Sequence, residues 1–362
     1  MATFPSKVNY ATGDILTATN MNDVGVAINL LDGAQYAGAK NRVLNSNFSV
    51  FQRGTSFTGA FSTGTGTYTA DRWLAYIGAG ANTISRQVTG DTTNLPFIQY
   101  CLRVARDSGQ TATNTVYLAN GFESVNSIPL AGKTVVLSFY ARAGANYSSA
   151  SNALLANVIT GTGTDQNVIS GLTGGVNAIS QTATLTTTWQ RFTYSATLAA
   201  TATQVAVRFD RTPVGTAGAN DYFEITGVQL EAANTASPYA PNGATYQAEL
   251  AACQRYYWRN TGGATFSTLG AGFGLSTTQA TLIIQSPVQM RVTPTVLEFS
   301  TLRLTEFVST SAAITAMTIS AESSPLTARL NADVASGLTK GVPYGITANN
   351  SATAYLGLSA EL

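Results

Sequence analysis

Alternating apolar and polar positions recur through most of the chain and predict β-strands. In KTVVLSFYARA, the apolar residues Leu137, Phe139 and Ala141 alternate with polar or half-polar ones, so these three are expected to point into a core. Similar short runs rich in Val, Phe, Tyr and Thr are WQRFTYSATL, TQVAVRFDR and DYFEITGVQLE. Gly, Asn and Pro separate the runs, and this spacing predicts an antiparallel β-sandwich over residues 41–241.

One stretch inside this region has a different pattern. Residues 145–175 carry little charge and much Gly and Thr. This composition is typical of a long loop or a hairpin arm, which is the structure we expect there.

Residues 1–40 contain one short amphipathic helix. Its apolar residues recur at spacings of three, four and three: Met21, Val24, Ile28 and Leu31. The stripe follows the a and d positions of a heptad, which is compatible with packing against further copies of the chain. Packing of the helix on its own domain is equally open. Fewer than two heptads are too short to hold an oligomer alone.

Residues 242–260 carry a second helical period, and β-type alternation returns after it. Behind an N-cap at Thr245, the apolar residues are Tyr246, Leu250, Cys253 and Tyr257. Their spacing predicts a connector helix packed on β structure. Residues 261–362 alternate again in short runs broken by turns, which predicts a second β domain, expected as a C-terminal β-sandwich.

The composition narrows the range of functions. Of the 362 residues only 10% are charged and 44% are hydrophobic, with a net charge of +1, whereas an average globular protein is about 25% charged. Thr, Ser, Asn, Gln and Gly fill the deficit, so the surface offers hydroxyls and amides that hydrogen-bond sugars and other subunits. The 19 Lys and Arg residues are spread thinly, which disfavours nucleic-acid binding.

Several kinds of site are excluded by residue type. The chain has no histidine, which removes the usual general base and the commonest metal ligand. Cys101 and Cys253 follow no ligand spacing, so a zinc site is excluded; two buried free thiols are favoured, and a disulfide stays open. We expect no metal and no cofactor. TGTGTDQN and DTTN carry Asp and Asn oxygens of the kind that ligate calcium, but neither matches a full ligand loop, so ordinary turns are favoured and calcium stays the open alternative. Neither a signal-peptide pattern nor a long apolar run occurs, so we expect no membrane insertion and synthesis in soluble form in a cytoplasm.

Eight strings in the same order along residues 41–362 together resemble the tail-fibre proteins of tailed bacteriophages and prophages. They are NRVLNSNFSVFQRGTSF, YTADRW, LSFYARA, WQRFTYSATL, FEITGVQLE, ELAACQRYYW, MRVTPTV and LSAEL. The opening GDILTATNMNDVGVAINLL is similar to the segments by which such fibres join the virion. Residues 41–240 also resemble jelly-roll carbohydrate-binding modules, whose chains open with Asn and Phe, soon reach a Trp and close with a strand like DYFEITGVQLE.

The resemblance implies a mainly β, homotrimeric adhesion protein of the phage tail. Residues 1–40 would attach to other tail or virion proteins, and residues 41–241 would form a jelly-roll, carbohydrate-binding-like domain. Residues 242–260 would be the connector helix, and residues 261–362 the β domain that binds the receptor, a host cell-surface polysaccharide. The chain is short for a long fibre, so a compact side fibre or tail-tip protein fits better.

Two alternatives stay open. The same β modules suit a structural virion protein, such as a head fibre, collar or decoration protein, that contacts only its neighbours. A glycan depolymerase is less favoured, because glycoside hydrolysis needs two carboxylates facing each other across the sugar bond. The candidates near the end of the sandwich are Asp210, Asp221, Glu224 and Glu231. A position at solvated strand ends explains these carboxylates equally well. We therefore expect that the chain is not an enzyme.

Sugar binding needs an aromatic face with amide and hydroxyl partners beside it. Tyr344 in GVPYG and Tyr355 in ATAYLG lie in glycine-rich turn contexts of the last domain. Exposed aromatic residues are expected at such a tip, so these two are the predicted receptor contacts. Trp73, Trp189 and Trp258 are expected to have core or junction roles.

The strings NSNFSVFQRGTSFTG and YTADRW combine rare charges with a turn. Phe48 and Val50 are predicted to face inward on a first strand, which a Gln-Arg-Gly turn ends. Arg53 is then expected to pair with Asp71 and to tie the start of the domain to its next strand.

Overall fold

The computed structural model of the chain describes residues 40–59, 61, 64–306 and 311–362. Outside these residues lies the helical stripe predicted for attachment and oligomerisation, Met21, Val24, Ile28 and Leu31, which stays a prediction. The described part consists mainly of β-strands with two short α-helices, and the predicted mainly β class is confirmed.

Twelve strands form two packed antiparallel sheets. They are β1 (Ser56–Gly59), β2 (Thr67–Tyr68), β3 (Leu74–Ile77), β4 (Asn82–Val88), β5 (Tyr100–Arg106), β6 (Val116–Gly121), β7 (Thr134–Ala143), β8 (Ala153–Gly161), β9 (Val176–Thr184), β10 (Gln190–Thr197), β11 (Gln204–Arg211) and β12 (Tyr222–Ala232). The first sheet has the order β1-β4-β5-β12-β7-β10, and the second has the order β2-β3-β6-β11-β8-β9. One apolar core lies between them, as in a jelly-roll sandwich.

The core confirms the alternation predicted for β7. Leu137, Phe139 and Ala141 are fully buried. The Phe139 ring meets the ring of Phe209 on β11 edge-on, with 4.8 Å between the ring centroids. Trp73 is buried beside Phe209, so its expected core role is also confirmed. Aromatic side chains thus contribute much of the contact between the sheets.

Of the two structures expected for residues 145–175, the hairpin arm is the one observed, because β8 pairs antiparallel with β9, the next strand along the chain. β8 pairs with both β9 and β11. On its outer side, Ile159 is covered by Val168 and Leu172 from the following loop. Both faces of β8 are therefore buried, and the alternation that would mark such a strand in the sequence is lost.

The start of the sandwich is a turn rather than the predicted first strand. Phe48 and Val50 are buried as expected, but Asn45 and Phe48 have left-handed backbone, with φ of 50° and 53°. The Asn45 amide accepts from the Val50 N–H at 2.9 Å and donates to the Asp71 carbonyl at 3.0 Å. Asparagine tolerates this backbone better than most residues, so its side chain holds the turn that precedes β1.

The described residues contain two α-helices: α1 (Ser124–Ser127), which lies between β6 and β7 of the sandwich, and α2 (Tyr246–Gln254), which connects the sandwich to the C-terminal strands. The predicted N-cap of α2 is confirmed, because the Thr245 hydroxyl accepts from the Ala248 N–H at 3.2 Å. The buried face differs from the predicted stripe, since Tyr246 is exposed and Tyr257 lies beyond the helix.

Glu249 occupies an inward position of α2 that the apolar pattern does not reveal. Its side chain is buried, and its two carboxylate oxygens accept hydrogen bonds from the backbone N–H groups of Asn45 and Gly243. Burial raises the pKa of Glu249 and the two backbone hydrogen bonds partly offset that rise. A charged residue thus fastens α2 to the turn at the start of the sandwich.

The C-terminal unit is a barrel with a small accompanying sheet, which corrects the predicted β-sandwich. Its strands are β13 (Tyr257–Thr261), β14 (Thr268–Gly274), β15 (Gln279–Gln285), β16 (Val296–Ser300), β17 (Leu302–Thr305), β18 (Ser311–Ile319), β19 (Thr327–Val334), β20 (Pro343–Ala348) and β21 (Tyr355–Ser359). The closed barrel has the order β14-β15-β19-β18-β17-β20, and β13-β21-β16 form the separate sheet. β14 allows closure because a Cβ at Gly272 would lie 1.9 Å from the Thr281 carbonyl oxygen, so only glycine permits this close approach.

Charged side chains join the sandwich to the C-terminal unit. Arg72 forms a buried ion pair with Glu361, and Arg291 lies 3.2 Å from Asp165. In a charge-poor chain these pairs fix the contact between the two units with directional hydrogen bonds.

Candidate functional site

Tyr344 is not an exposed tip residue, which corrects the predicted receptor contact. It lies on β20 with 1% of its surface exposed. Its hydroxyl donates to Glu306 Oε1 at 2.9 Å and accepts from the Thr339 N–H at 2.9 Å. Pro343 begins the strand and is exposed, so strand alternation turns the next residue inward.

Tyr355 is only partly exposed. It lies on β21, where its strand neighbours are Thr261 and Ser300. The Arg259 guanidinium lies over its ring at 3.8 Å from the centroid. One face of the ring is therefore already covered, and the receptor contact of Tyr355 stays a prediction.

Arg53 and Asp71 have other partners than the predicted ones. Arg53 lies 3.5 Å from Glu361 and 3.9 Å from Glu298. The Asp71 carboxylate accepts from the Gln52 backbone N–H at 2.7 Å and from its side-chain amide at 2.6 Å. Among the ion pairs of the described residues the Arg53–Asp71 pair is absent, because the turn aims Arg53 at the C-terminal unit. Arg53 thus joins the two units.

The four carboxylates considered for glycan cleavage are buried and held by partners. Glu224, for example, lies 2.6 Å from Arg103 of β5 and 2.5 Å from Arg142 of β7. The other three contact Arg106 and Arg211 (Asp221), Arg208 (Asp210) and Ser237 (Glu231). Carboxylates engaged in this way hold strands and loops together. None of the four lines the cleft described next.

A cleft of about 610 Å³ opens between the β4–β5 loop, residues 89–99, and the start of α2. Its wall combines aromatic rings with neutral polar groups, including Phe97, Tyr100, Tyr246, Asn47, Gln99 and Thr245. We call it the loop–helix cleft. Its size and mixed wall suit a small ligand that has both an apolar face and hydrogen-bonding groups.

Phe97 is the most exposed large apolar residue of the cleft wall. It is 94% exposed, whereas Leu95 and Ile98 on either side of it are buried in a small cluster with Trp189. Thr89 closes the loop, since its N–H donates to the Gln99 carbonyl at 3.0 Å. The fold therefore holds an apolar ring in water on an anchored loop, where it is accessible to a ligand.

A β-bulge in the first sheet makes room for this loop. The pairing of β12 with β7 shifts between Thr226 and Gln229. Gly227 lies there with φ of +58°, and a Cβ on it would lie 2.9 Å from Ile98 Cδ1. Glycine provides both the left-handed backbone and the space. The anchor of the loop thus depends on this glycine.

The opposite wall of the cleft is the first turn of α2. Tyr246 is 54% exposed, and Thr245 beside it lines the same cleft. Because Glu249 ties this turn to the backbone of Asn45, the position of Tyr246 is fixed relative to the sandwich. Two exposed aromatic rings on separate, anchored elements therefore line one cleft.

Arg86 provides the positive charge of the cleft. Its guanidinium lies 4.6 Å from the ring centroid of Tyr100 and 5.4 Å from that of Phe51. No hydrogen bond or ion pair of this guanidinium occurs among the described residues. Asn47 Oδ1, also at the cleft, is buried and has no hydrogen-bond partner there. The cleft thus offers both donors and an acceptor to a ligand.

The sequence contained a weak signal for this site. In DTTNLPFIQY the apolar residues Leu95, Phe97 and Ile98 stand close together behind turn-forming residues, but no periodicity distinguishes the exposed one from the buried ones. The sequence did not reveal Tyr246 as a cleft residue, because the helical spacing assigned it to the buried stripe of α2.

The described residues contain no group of three or more His, Cys, Asp or Glu side chains able to hold a metal ion. Both cysteines are free and buried, as predicted, and burial raises the pKa of Cys101 and of Cys253. Within the same residues, no helix combines the length and the apolar character that crossing a bilayer requires.

No family of known protein domains matches the chain, and no curated protein matches it. Solved structures align with about half of it. The enzymatically active domain of tailspike protein 4 from bacteriophage CBA120 is 12% identical over 54% of this chain and 22% of that chain, with a TM-score of 0.34. The xylan-binding CBM22-1 domain of Xyn10C from Paenibacillus barcinonensis is 12% identical over 50% of this chain and 95% of that one, with a TM-score of 0.29.

The module TmCBM61, solved with β-1,4-galactotriose, is 13% identical over 54% of this chain and 99% of that one, with a TM-score of 0.32. Each of these similarities is low.

Proposed function

We propose that this chain is a bacteriophage tail-fibre adhesin that binds a host cell-surface glycan in the loop–helix cleft. The observation that carries the proposal is Phe97, which an anchored loop holds 94% exposed beside a cleft that Tyr246 also lines. The apolar face of a pyranose stacks on such rings, while its hydroxyls pair with amide and hydroxyl groups such as those of Gln99 and Thr245.

The fibre identity and the place on the virion are supported by the eight strings that resemble tail-fibre proteins. In this proposal residues 1–40 attach to other tail or virion proteins, and Met21, Val24, Ile28 and Leu31 join three copies. A trimer carries three clefts, so individually weak sugar contacts add up to firm attachment to a surface that repeats the same glycan.

A structural virion protein is the second candidate, because the barrel also exposes apolar surface. Phe273 on β14 and Ile283 on β15 are both exposed and lie on the same outer face of the paired strands. Such a face suits contact with another protein more than contact with a sugar. The two candidates therefore use different surfaces of the same chain.

A glycan array and a host-adsorption assay with the purified full chain test the proposal. Phe97→Ala and Tyr246→Ala should each weaken glycan binding about tenfold, or about 1.4 kcal/mol, because each removes one stacking ring. Phe273→Ala is the matched control, an exposed phenylalanine outside the cleft, and should bind like the wild type.

Two outcomes would contradict the adhesin proposal. One is the absence of binding to any host glycan together with normal adsorption of phage lacking the chain. The other is loss of binding in Phe273→Ala but not in Phe97→Ala. If Phe273→Ala instead abolished incorporation into the virion and no glycan bound, the structural candidate would be favoured.

A further inference from the structure

We propose that the loop–helix cleft takes an anionic saccharide, one that carries a carboxylate, sulfate or phosphate group, and that Arg86 binds the anionic group. This inference rests on the proposed function and adds the class of ligand. The unpaired Arg86 guanidinium and the unpaired Asn47 Oδ1 at the wall of one aromatic cleft are the observations that lead to it.

Most arginines of this chain are used differently. Eleven of the fifteen pair with a carboxylate. Of the remaining four, Arg191 donates to Ser138 and Ser237, and Arg303 donates to Thr347. Arg42 has no side-chain hydrogen bond or ion pair among the described residues either, but it lies outside the loop–helix cleft. Arg86 lacks such contacts among the described residues, although only 10% of the chain is charged. Its charge is therefore free to act on a ligand.

The surroundings of Arg86 keep its donors available. Its guanidinium lies over the rings of Tyr100 and Phe51. Stacking uses the flat face of the guanidinium and leaves the five N–H donors at its edge free for a planar or tetrahedral oxyanion. The same rings restrict the motion of the side chain, so less conformational entropy is lost when a ligand binds.

No carboxylate among the described residues of the cleft forms an ion pair with Arg86. Glu249 is the acidic residue that lines the cleft, but its carboxylate is buried and accepts from the backbone N–H groups of Asn45 and Gly243. A neutral sugar would leave the cation without a counter-charge. An acidic sugar adds a charge-assisted, two-point hydrogen bond, which is among the stronger polar contacts.

The unpaired Asn47 Oδ1 favours a ligand that carries hydroxyl groups as well as the anionic group, and so favours an acidic sugar over a free oxyanion. Its Oδ1 is a buried acceptor without a partner in the described structure, and such an atom is normally satisfied by a donor. A fully ionised oxyanion has only acceptors, whereas a sugar hydroxyl donates. A ligand with both an anionic group and hydroxyls satisfies Arg86 and Asn47 together.

The test uses the purified full chain and an array that contains neutral, carboxylated, sulfated and phosphorylated oligosaccharides. Matched pairs separate charge from shape, for example oligogalacturonate and its methyl ester, which share one carbohydrate skeleton. We expect the acidic member of a bound pair to bind at least tenfold more tightly, with an advantage that shrinks as salt is raised. The array also identifies which of the three anionic groups is bound.

Three variants locate the effect. Arg86→Gln should remove the tenfold preference for the acidic member, because glutamine carries no charge, so that the acidic and neutral members bind this variant equally. Arg86→Lys should retain part of the preference, because it keeps the charge and loses the two-point geometry. Arg303→Gln is the matched control: Arg303 also lies over a phenylalanine ring, at 4.7 Å from Phe266, but in the barrel, and its loss should change neither member.

The outcomes distinguish this inference from the function it rests on. Phe97-dependent binding of neutral sugars with no preference for acidic ones, or an acid preference that survives in Arg86→Gln, would overturn the anionic ligand and leave the adhesin in place. No Phe97-dependent binding of any member would overturn both.

Discussion

Phe97 and Tyr344 both follow a proline in a short string, LPFIQY and GVPYG, and the fold treats them in opposite ways. Phe97 is 94% exposed and Tyr344 is 1% exposed. Phe97 is exposed because the loop is held by its neighbours Leu95 and Ile98, whose side chains are buried. Tyr344 is buried because β20 begins at the preceding residue and its own position faces the barrel interior. Whether an aromatic residue is exposed thus depends on which of its neighbours are buried and on its position in a strand.

The largest effect expected from this comparison is the loss of the Tyr344 side chain. Tyr344→Ala should lower the free energy of unfolding by about 3–5 kcal/mol, the usual cost of removing a large buried ring. Tyr344→Phe keeps the ring and loses its hydrogen bonds to Glu306 and Thr339, at about 1 kcal/mol. Chemical denaturation of the full chain measures both. A cost below about 1 kcal/mol for the alanine variant would contradict the buried role.

A smaller effect should follow from disturbing the anchor of the displayed residue. Gly227→Ala forces left-handed backbone on alanine and places its Cβ 2.9 Å from Ile98 Cδ1, so we expect a loss of about 1–3 kcal/mol. Hydrogen exchange should become faster in residues 89–99, and binding of the glycan should weaken although no cleft residue has changed. Unchanged exchange in the loop would show that its anchor does not depend on the bulge.

The smallest effect on stability is expected for Phe97 itself. Phe97→Ala should change the free energy of unfolding by less than about 0.5 kcal/mol, as for most exposed positions, and should act only on binding. Thermal unfolding of this variant beside Tyr344→Ala completes the comparison. A loss of stability as large as that of Tyr344→Ala would mean that Phe97 packs against the protein after all.

The sequence predicts the orientation of side chains most reliably in helices and strands that bury only one face. Strand alternation predicted the inward residues of β7, and a hydroxyl before an apolar run predicted the Thr245 cap. Alternation did not mark β8, the observed hairpin arm, because both of its faces are covered. The apolar pattern also did not reveal the inward Glu249, whose charge is compensated by backbone N–H groups from a distant turn. Such compensation depends on contacts between residues far apart in the chain, and the periodicity of apolar residues gives no information about these contacts.

The candidate site was the less predictable part for the same reason. Its residues come from the first turn, β4, the β4–β5 loop, β5, and α2 with the segment before it. The cleft exists only once these segments meet. The rare charges illustrate this too: Arg53 was expected to pair with the nearby Asp71, but it reaches Glu361 in the C-terminal unit. Proximity in sequence favoured the local partner, whereas the tertiary fold supplied the distant one.

A crystal structure of the full chain with a bound host oligosaccharide tests the central claim most directly. The account predicts a sugar ring against Phe97 and Tyr246, with its anionic group on Arg86. The sandwich and the C-terminal unit also share a groove of about 540 Å³ lined by Arg53 and Glu298. A sugar bound in that groove, with the loop–helix cleft empty, would contradict the account.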